Sequence, residues 1–170
     1  SKSFLRLADQ YGILIVDELY DKWSNKDFWP GVDRIKWSEA VFQNLPDWIR
    51  RDRNHPSVIM WSLGNELQIN DNWAGFPTND WGVTTYRMLN VLTKRYDATR
   101  PTTVAMFPSR AGAIGKNDPD FNTKIVPPEL AVATEISSFN YRWMNYKDYL
   151  KHAPDMIVYQ SEATTNELAQ

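Results

Sequence analysis

The chain has 170 residues, 42% of them hydrophobic and 24% charged, which is the composition of one ordinary globular domain. Its formal net charge is -2 without a cluster of Lys and Arg, and no stretch approaches ~18 consecutive apolar residues, so we expect neither nucleic acid nor a membrane as a partner. Cysteine is absent and two histidines occur, which excludes disulfides and thiolate chemistry, argues against a typical zinc site, and leaves the cellular compartment open.

The first predicted unit is a helix followed by a buried strand. Apolar residues recur at helical spacing over residues 4–11, and Gly12 stands where helices commonly end. Residues 13–16, ILIV, predict a strand, and two acids, Asp17 and Glu18, follow it. A helix, a glycine and a strand in this order predict one unit of an alternating α/β fold.

A second helix is predicted to run from about Asp33 to about Arg51, after a polar loop at residues 24–32. Its apolar residues fall roughly on one face, as expected for a helix that packs on a sheet. Pro46 lies inside this pattern and predicts a kink or a restart, since proline removes a backbone donor from the helix. The Asn-His-Pro turn at residues 54–56 ends the helix, because the residue before a proline avoids helical backbone angles.

The next strand is the most informative part of the chain. Residues 57–63, SVIMWSL, form a short apolar run without clean alternation, which predicts a strand buried on both faces. The run continues into Gly64, Asn65 and Glu66, so a carboxylate stands at the carboxyl end of this strand. Barrel enzymes carry their chemistry at that end of their parallel strands.

Three more strands and two more helices complete the pattern. The strands are predicted at residues 102–106, 136–140 and 156–159, and the helices at residues 80–96 and 144–151. Residues 107–134 contain four prolines and predict an irregular loop. Strands that alternate with helices predict a parallel sheet, with Tyr141 and Glu162 beyond the carboxyl ends of the last two strands.

Sixteen consecutive residues, RDRNHPSVIMWSLGNE at positions 51–66, resemble the acid/base signature of glycoside hydrolase family 2, which comprises β-galactosidases, β-glucuronidases and β-mannosidases. The resemblance implies an α/β fold, an eight-stranded (β/α)8 TIM barrel flanked by β-sandwich domains. Residues 1–170 would form a partial catalytic domain with strands three to seven of that barrel. In the family, the last residue of the motif is the catalytic acid/base and the amide before it contacts the sugar 2-hydroxyl. These roles fall on Glu66 and Asn65, whereas His55 looks like a residue that fixes the loop.

Two shorter segments resemble other parts of the same site. The run MIVYQSEA at residues 156–163 is similar to the family's nucleophile strand, which implies that Glu162 is the nucleophile. The pair Asn140-Tyr141 resembles the family's Asn-Tyr on strand six, where the phenol bonds the nucleophile, so both residues are candidate substrate-binding residues; a core tyrosine at a strand end is the alternative. Two carboxylates ~5–5.5 Å apart suit a retaining glycosidase, in which one attacks the anomeric carbon and the other first donates a proton.

Three further residues are candidate sugar contacts. The segment ADQYGILIVDEL at residues 8–19 resembles the family's third helix and strand, which lead into a substrate loop. Asp21 and Trp23 lie in that loop, either as sugar contacts or as part of a solvent loop held by a buried tryptophan. Trp73, in the next loop of the same barrel face, either lines the cleft or anchors its loop. Some β-galactosidases hold magnesium with a Glu-x-His pair after the third strand, but the loop here contains no histidine, so we expect no metal and no cofactor.

The resemblance predicts a retaining β-glycosidase that acts on a carbohydrate, and the wording of its motifs is closest to the β-galactosidases. A β-glucuronidase or a β-mannosidase is the alternative within the family. An alternative of another class is a non-catalytic carbohydrate-binding or structural fragment of such a barrel. The chain begins with Ser1 instead of a start methionine and shows five strands, so we expect it to be part of a longer protein and inactive alone.

Overall fold

The computed structural model describes residues 2–21, 23, 37–67, 80–107 and 125–163, which form five α-helices and five strands. The helices are α1 (Lys2–Tyr11), α2 (Trp37–Asp52), α3 (Val83–Lys94), α4 (Glu129–Ala133) and α5 (Tyr146–His152), and a short 3-10 helix at Trp143–Asn145 leads into α5. The strands are β1 (Ile15–Glu18), β2 (Val58–Asn65), β3 (Thr102–Met106), β4 (Ile136–Asn140) and β5 (Val158–Glu162). None of the helices in these ranges has the length and apolarity that a membrane crossing needs.

All five strands are parallel and stand side by side in chain order. The sheet curls into half of a barrel, which confirms the predicted incomplete (β/α)8 fold. Parallel neighbours need a crossover connection, which in such folds is usually a helix. The carboxyl ends of the strands therefore meet at one rim of the half-barrel, where barrel enzymes place their active sites.

The main core lies between the sheet and the helices that cover it. Trp48 of α2 packs edge-to-face on Trp61 of β2, with ring centroids 4.8 Å apart. Farther along the sheet, Phe139 of β4 contacts Tyr149 of α5 with centroids 5.0 Å apart. Other fully buried core side chains are Leu45, Ile49, Leu63, Tyr86, Leu89 and Leu130. Because this packing ties α2 and α5 to the sheet, it also fixes the strand ends that carry the polar rim.

The first strand begins two residues later than the sequence predicted. Gly12 is left-handed, with φ 69°, and the N–H of Ile13 donates to the carbonyl of Ala8 at 2.9 Å. This Schellman-type turn carries the chain past the end of α1 before strand pairing starts. Ile13 and Leu14 are consequently exposed by 54% and 68%, and β1 starts at Ile15.

Other parts of the chain also differ from the prediction. Helix α2 does not restart at Pro46 but runs through it, because Leu45 and Ile49 on either side are fully buried in the same core. Strands β2 and β5 extend further than predicted and include Asn65 and Glu162. These two polar residues are thus held by sheet pairing instead of lying in loops.

The Asn-His-Pro turn before β2 is tied to α1. Asp9 of α1 accepts a hydrogen bond from the N–H of Ser57 at 2.9 Å, and its other oxygen lies 2.6 Å from His55 Nδ1. The hydrogen bonds from Ser57 and His55 lower the pKa of Asp9 to about 2. From the other side, Arg100 donates to the carbonyl of His55 at 3.1 Å. This turn lies inside the sixteen-residue motif, and it therefore fixes the start of β2 and the course of the strand towards Glu66.

Candidate active site

The polar residues at the carboxyl rim come from β2, β4 and β5. Glu66 directly follows β2, where its N–H donates to the carbonyl of Ala105 in β3 at 2.7 Å. Its φ of 47° is left-handed, a conformation that a non-glycine residue keeps where its surroundings fix it. Glu162 is the last residue of β5 and pairs with Asn140, the last residue of β4. Backbone contacts and strand register thus bring both predicted carboxylates to the same rim.

Asn140 joins the two carboxylates through one amide group. Its Nδ2 lies 3.2 Å from Glu66 Oε1 and 2.9 Å from Glu162 Oε1. The same nitrogen lies 2.9 Å from Asn65 Oδ1. The Asn140 side chain is fully buried, and its Oδ1 accepts a hydrogen bond from the Ser161 hydroxyl at 2.6 Å. Because one nitrogen contacts both carboxylates, these two carboxylate oxygens are at most about 6 Å apart, close to the spacing of a carboxylate pair in glycosidases.

Tyr141 holds the other oxygen of Glu162. Its hydroxyl donates to Glu162 Oε2, and its backbone N–H donates to the Glu162 carbonyl at 3.0 Å. The φ of Tyr141 is 55°, again in the left-handed region. Its ring packs on Phe107 with centroids 6.3 Å apart, and its carbonyl accepts a hydrogen bond from Arg142 at 3.0 Å. These contacts hold Tyr141 in place, and both oxygens of the Glu162 carboxylate receive a donor from the protein.

Asp21 supports Asn65 from the loop after β1. Asn65 Nδ2 donates to Asp21 Oδ1 at 2.9 Å, and the N–H of Asn65 donates to the Asp21 carbonyl at 2.7 Å. The Asn65 amide therefore uses its nitrogen on Asp21 and its oxygen on Asn140. Asp21 is exposed beside this pair. The structure brings Asp21, Asn65 and Asn140 together at the rim, and their contacts with a sugar stay predictions.

Trp23 lies in the core, where it is 1% exposed and its Nε1 donates to the Leu63 carbonyl at 2.6 Å. The indole lies against Gly64, since a Cβ added there would be 2.8 Å from Trp23 Nε1. This position matches the alternative that the sequence left open, a loop held by a buried tryptophan. In this conformation the ring has no face available for stacking on a sugar. Trp73, the other tryptophan proposed to line the cleft, lies outside the described residues.

Three more carboxyl groups lie close to the first two strands. Ser62 donates its hydroxyl to Glu18 Oε2 at 2.7 Å. Burial and the neighbouring Asp52 carboxylate raise the pKa of Asp17 to about 6. Burial opposes the ionisation of Asp52, but hydrogen bonds from Arg51 hold the pKa of Asp52 below its ordinary value. Asp17 therefore keeps a proton at mildly acidic pH, while Asp52 stays charged against Arg51.

Two supporting residues of the rim were not identified from the sequence. Ser161 fixes the amide of Asn140, and Phe107 packs on Tyr141. The available signal was their position, since Ser161 directly precedes Glu162 and Phe107 directly follows a predicted strand. Within the described ranges, no group of three or more His, Asp or Glu side chains could hold a metal ion. The rim therefore offers two carboxylates and several hydrogen-bond donors, the groups that general acid/base and nucleophilic catalysis need.

Comparisons with known proteins agree with this fold. The family model described as glycosyl hydrolases family 2, TIM barrel domain, matches residues 1–157. A β-galactosidase of Bacteroides ovatus is 45% identical over 65 residues, which cover 37% of this chain and 7% of that protein. A β-glucuronidase of Paenibacillus borealis is 32% identical over 114 residues, which cover 64% of this chain and 18% of that protein. Among solved structures, a family 2 glycosyl hydrolase of Bacteroides cellulosilyticus has a TM-score of 0.70 and 30% identity, over 96% of this chain and 18% of that one. The chain thus spans less than a fifth of the length of these relatives.

Proposed function

Because the chain belongs to the TIM barrel domain of glycosyl hydrolase family 2, we propose that it carries the two catalytic carboxylates of a retaining β-glycosidase. Glu162 is the nucleophile and Glu66 is the acid/base. The observation that carries this proposal is the amide of Asn140, whose nitrogen lies within 3.2 Å of both carboxylates. A contact of this kind makes the two groups near neighbours, as a shared reaction centre requires.

The separation of the carboxylates supports retention over inversion. Retaining enzymes hold their two carboxyl groups ~5–5.5 Å apart, whereas inverting enzymes leave ~6.5–9.5 Å to admit a water molecule. The shared amide keeps the bridged oxygens of Glu66 and Glu162 within about 6 Å of each other, which favours the first geometry.

The proposed reaction has two steps. In the first, Glu162 attacks the anomeric carbon while Glu66 donates its proton to the departing glycosidic oxygen. In the second, water attacks the same carbon, Glu66 takes a proton from that water, and the ester bond to Glu162 breaks. Tyr141 and Asn140 hold the two oxygens of Glu162, so the carboxylate needs little reorganisation before attack. Such alignment matters because a displacement of ~1 Å can cost about a hundredfold in rate.

We infer a terminal β-galactoside as the substrate, supported by the motif wording and by the β-galactosidase relative. A β-glucuronide is the second candidate, because a β-glucuronidase also occurs among the relatives. Nitrophenyl β-galactoside, β-glucuronide and β-mannoside, assayed with the protein at its natural length, separate these candidates. We expect the galactoside to lead by at least about tenfold in kcat/KM, which is ~1.4 kcal/mol of transition-state discrimination. Preference for the glucuronide would overturn the substrate and leave the carboxylate roles intact.

We also infer that β-sandwich domains flank the chain in the natural protein. The greater length of the relatives supports this, since the chain covers 18% of the β-glucuronidase of Paenibacillus borealis. The sugar pocket of the intact enzyme would then include residues beyond those of this chain.

Covalent trapping tests the nucleophile. A 2-fluoro glycosyl fluoride of the preferred sugar forms the glycosyl ester faster than water removes it, so the labelled enzyme accumulates. Mass spectrometry of a digest should then find the added mass on Glu162. A label on another carboxylate, or a product whose anomeric configuration is inverted, would overturn the proposal.

The dependence of rate on the leaving group tests Glu66. Glu66→Ala should slow substrates with poor leaving groups far more than activated aryl glycosides, because only the former need a proton donor. Azide should restore turnover of the activated substrate and yield a β-glycosyl azide. Glu129→Ala, which removes an exposed glutamate of α4, is the control and should keep the wild-type ratio. Equal losses on both substrates, without rescue by azide, would refute the assignment.

A further inference from the structure

We propose that Asn140 is a positioning residue whose amide N–H bonds whichever of the two carboxylates is charged. The negative charge passes from Glu162 to Glu66 and back during the reaction, and the hydrogen bond changes partner with it. The inference rests on the proposed two-carboxylate reaction. It gives Asn140 a role between the two carboxylates, whereas the sequence predicted a sugar contact at this position.

The amide of Asn140 has fewer hydrogens than acceptors. Its Nδ2 carries two hydrogens, yet three oxygens lie within 3.2 Å of it, one each on Asn65, Glu66 and Glu162. The amide is held against turning over, because its Oδ1 accepts the Ser161 hydroxyl at 2.6 Å and the side chain is fully buried. The three acceptors therefore compete, and only two of them can be well bonded at a time.

One negative charge changes place during the proposed reaction. At the start Glu162 is a carboxylate and Glu66 holds a proton. When the glycosyl ester forms, this proton leaves with the departing oxygen, so Glu162 becomes neutral and Glu66 becomes the carboxylate. Attack by water breaks the ester, releases the Glu162 carboxylate and returns a proton to Glu66. Hydrogen bonds to a charged acceptor are roughly twice as strong as those to a neutral one, so a shared amide hydrogen shifts to whichever carboxylate is charged.

Asn140 consequently acts in both steps. In the free enzyme its N–H holds Glu162 for attack. In the glycosyl-enzyme the N–H leaves the neutral ester and supports Glu66, the base that receives the proton of water. A residue that only oriented the nucleophile would affect the rate of ester formation alone. A residue that only filled space would have no particular effect on either rate.

Asn140→Ala, measured in the protein at its natural length, separates these roles. With a dinitrophenyl glycoside of the preferred sugar, single-turnover kinetics give the rate of ester formation, and steady-state turnover gives the rate of ester hydrolysis. Loss of a hydrogen bond to a charged group corresponds to about ten- to hundredfold, and we expect a loss of this size in both rates. Azide attacks the anomeric carbon of the ester without needing a base, so it should accelerate turnover of the variant until the slowed ester formation becomes limiting.

Ser138→Ala is the matched control, because Ser138 is buried on the same strand and its hydroxyl contacts Thr103 at 2.7 Å instead of a carboxylate. This control should keep both rates close to wild type. If Asn140→Ala slows ester formation alone, or if azide does not accelerate it, the charge-following role is wrong. Should Asn140→Ala fail to fold, Asn140→Ser is subjected to the same measurements, with the same outcomes for and against. A 2-fluoro label on a residue other than Glu162 would instead refute the proposed function, independently of these rates.

Discussion

Replacing Gly64 with alanine tests how closely the end of β2 packs against the loop after β1. An added Cβ would lie 2.8 Å from Trp23 Nε1, 3.1 Å from Trp23 Cε2 and 3.3 Å from Leu67 Cδ1. Gly64 is not left-handed, so the need for glycine here is a matter of space. Trp23 is 1% exposed and its Nε1 bonds the Leu63 carbonyl at 2.6 Å, so the indole cannot swing aside without losing that bond.

The size of the effect follows from these contacts. Overpacking a buried site costs about 1–3 kcal/mol, and loss of the Trp23–Leu63 hydrogen bond adds about 1 kcal/mol. We therefore expect Gly64→Ala to lower the free energy of unfolding of the domain by about 2–4 kcal/mol. Asn65 and Glu66 follow directly in the chain, so kcat/KM should also fall, by up to about a hundredfold for a ~1 Å shift.

Urea unfolding followed by circular dichroism, together with kcat/KM on an activated substrate, measures both effects. Gly12→Ala is the control, because nothing lies within 4 Å of its added Cβ and only the left-handed φ of 69° is strained, at about 1 kcal/mol. Adding Trp23→Phe to Gly64→Ala relieves the clash, so the double variant should be at least about 1 kcal/mol more stable than additivity predicts. A Gly64→Ala protein with wild-type stability and activity, or strictly additive changes, would refute the reasoning.

Three further predictions concern the site and the sheet. Tyr141→Phe removes the donor to Glu162 Oε2 and should lower kcat by about ten- to hundredfold with KM little changed; a change confined to KM would contradict the orienting role. Asp17→Asn should flatten the pH dependence of stability, because folding raises the pKa of Asp17 from 3.8 to about 6. The protonated Asp17 therefore stabilises the folded protein fully below pH 3.8, the pKa of the unfolded chain, and this stabilisation is lost as the pH rises through 6. Allowing for partial exposure, wild type should lose about 1–2 kcal/mol relative to the variant between about pH 4 and pH 7.5 in urea unfolding, and parallel pH profiles would show that Asp17 is not responsible. The isolated 170-residue chain should not turn over nitrophenyl glycosides, because the outer edges of β1 and β5 pair with no strand of the described part; turnover like that of the intact protein, with a sharp unfolding transition, would be the contrary result.

The sequence predicts most of the fold, because its local signals are strong. Strands β3 and β4 are observed at the predicted bounds, each a short run between clear breaks in the pattern. The parallel order follows from the alternation of strands and helices. The late start of β1 depends on the turn around Gly12, and the unbroken course of α2 through Pro46 depends on burial on both sides of the proline. The first is a local backbone turn and the second is a tertiary effect, and the apolar periodicity of the sequence reports neither of them.

Some features of the candidate site can likewise be predicted from the sequence, whereas others require the structure. Glu66 and Glu162 could be named from motifs, because each motif is a continuous segment of the chain. The amide contact that links them could not, since Asn140 is 74 positions from Glu66. Trp23 stayed ambiguous because a stacking tryptophan and a buried tryptophan look alike in sequence, and the choice depends on the space beside Gly64. Such contacts become visible only when the strands are placed side by side.

The order of the strands also sets the order in which the site can assemble during synthesis. Among the described residues each strand pairs with its neighbours along the chain, so the sheet can grow strand by strand as the chain emerges, amino terminus first. The N–H of Glu66 can bond the Ala105 carbonyl only after β3 has formed. Asn140 and Glu162 are added with β4 and β5, the last two strands. The two acidic side chains are therefore brought together only when most of the sheet already exists to hold them. A chain that stalls before β5 would contain Glu66 but lack Glu162, the second carboxylate of the proposed site.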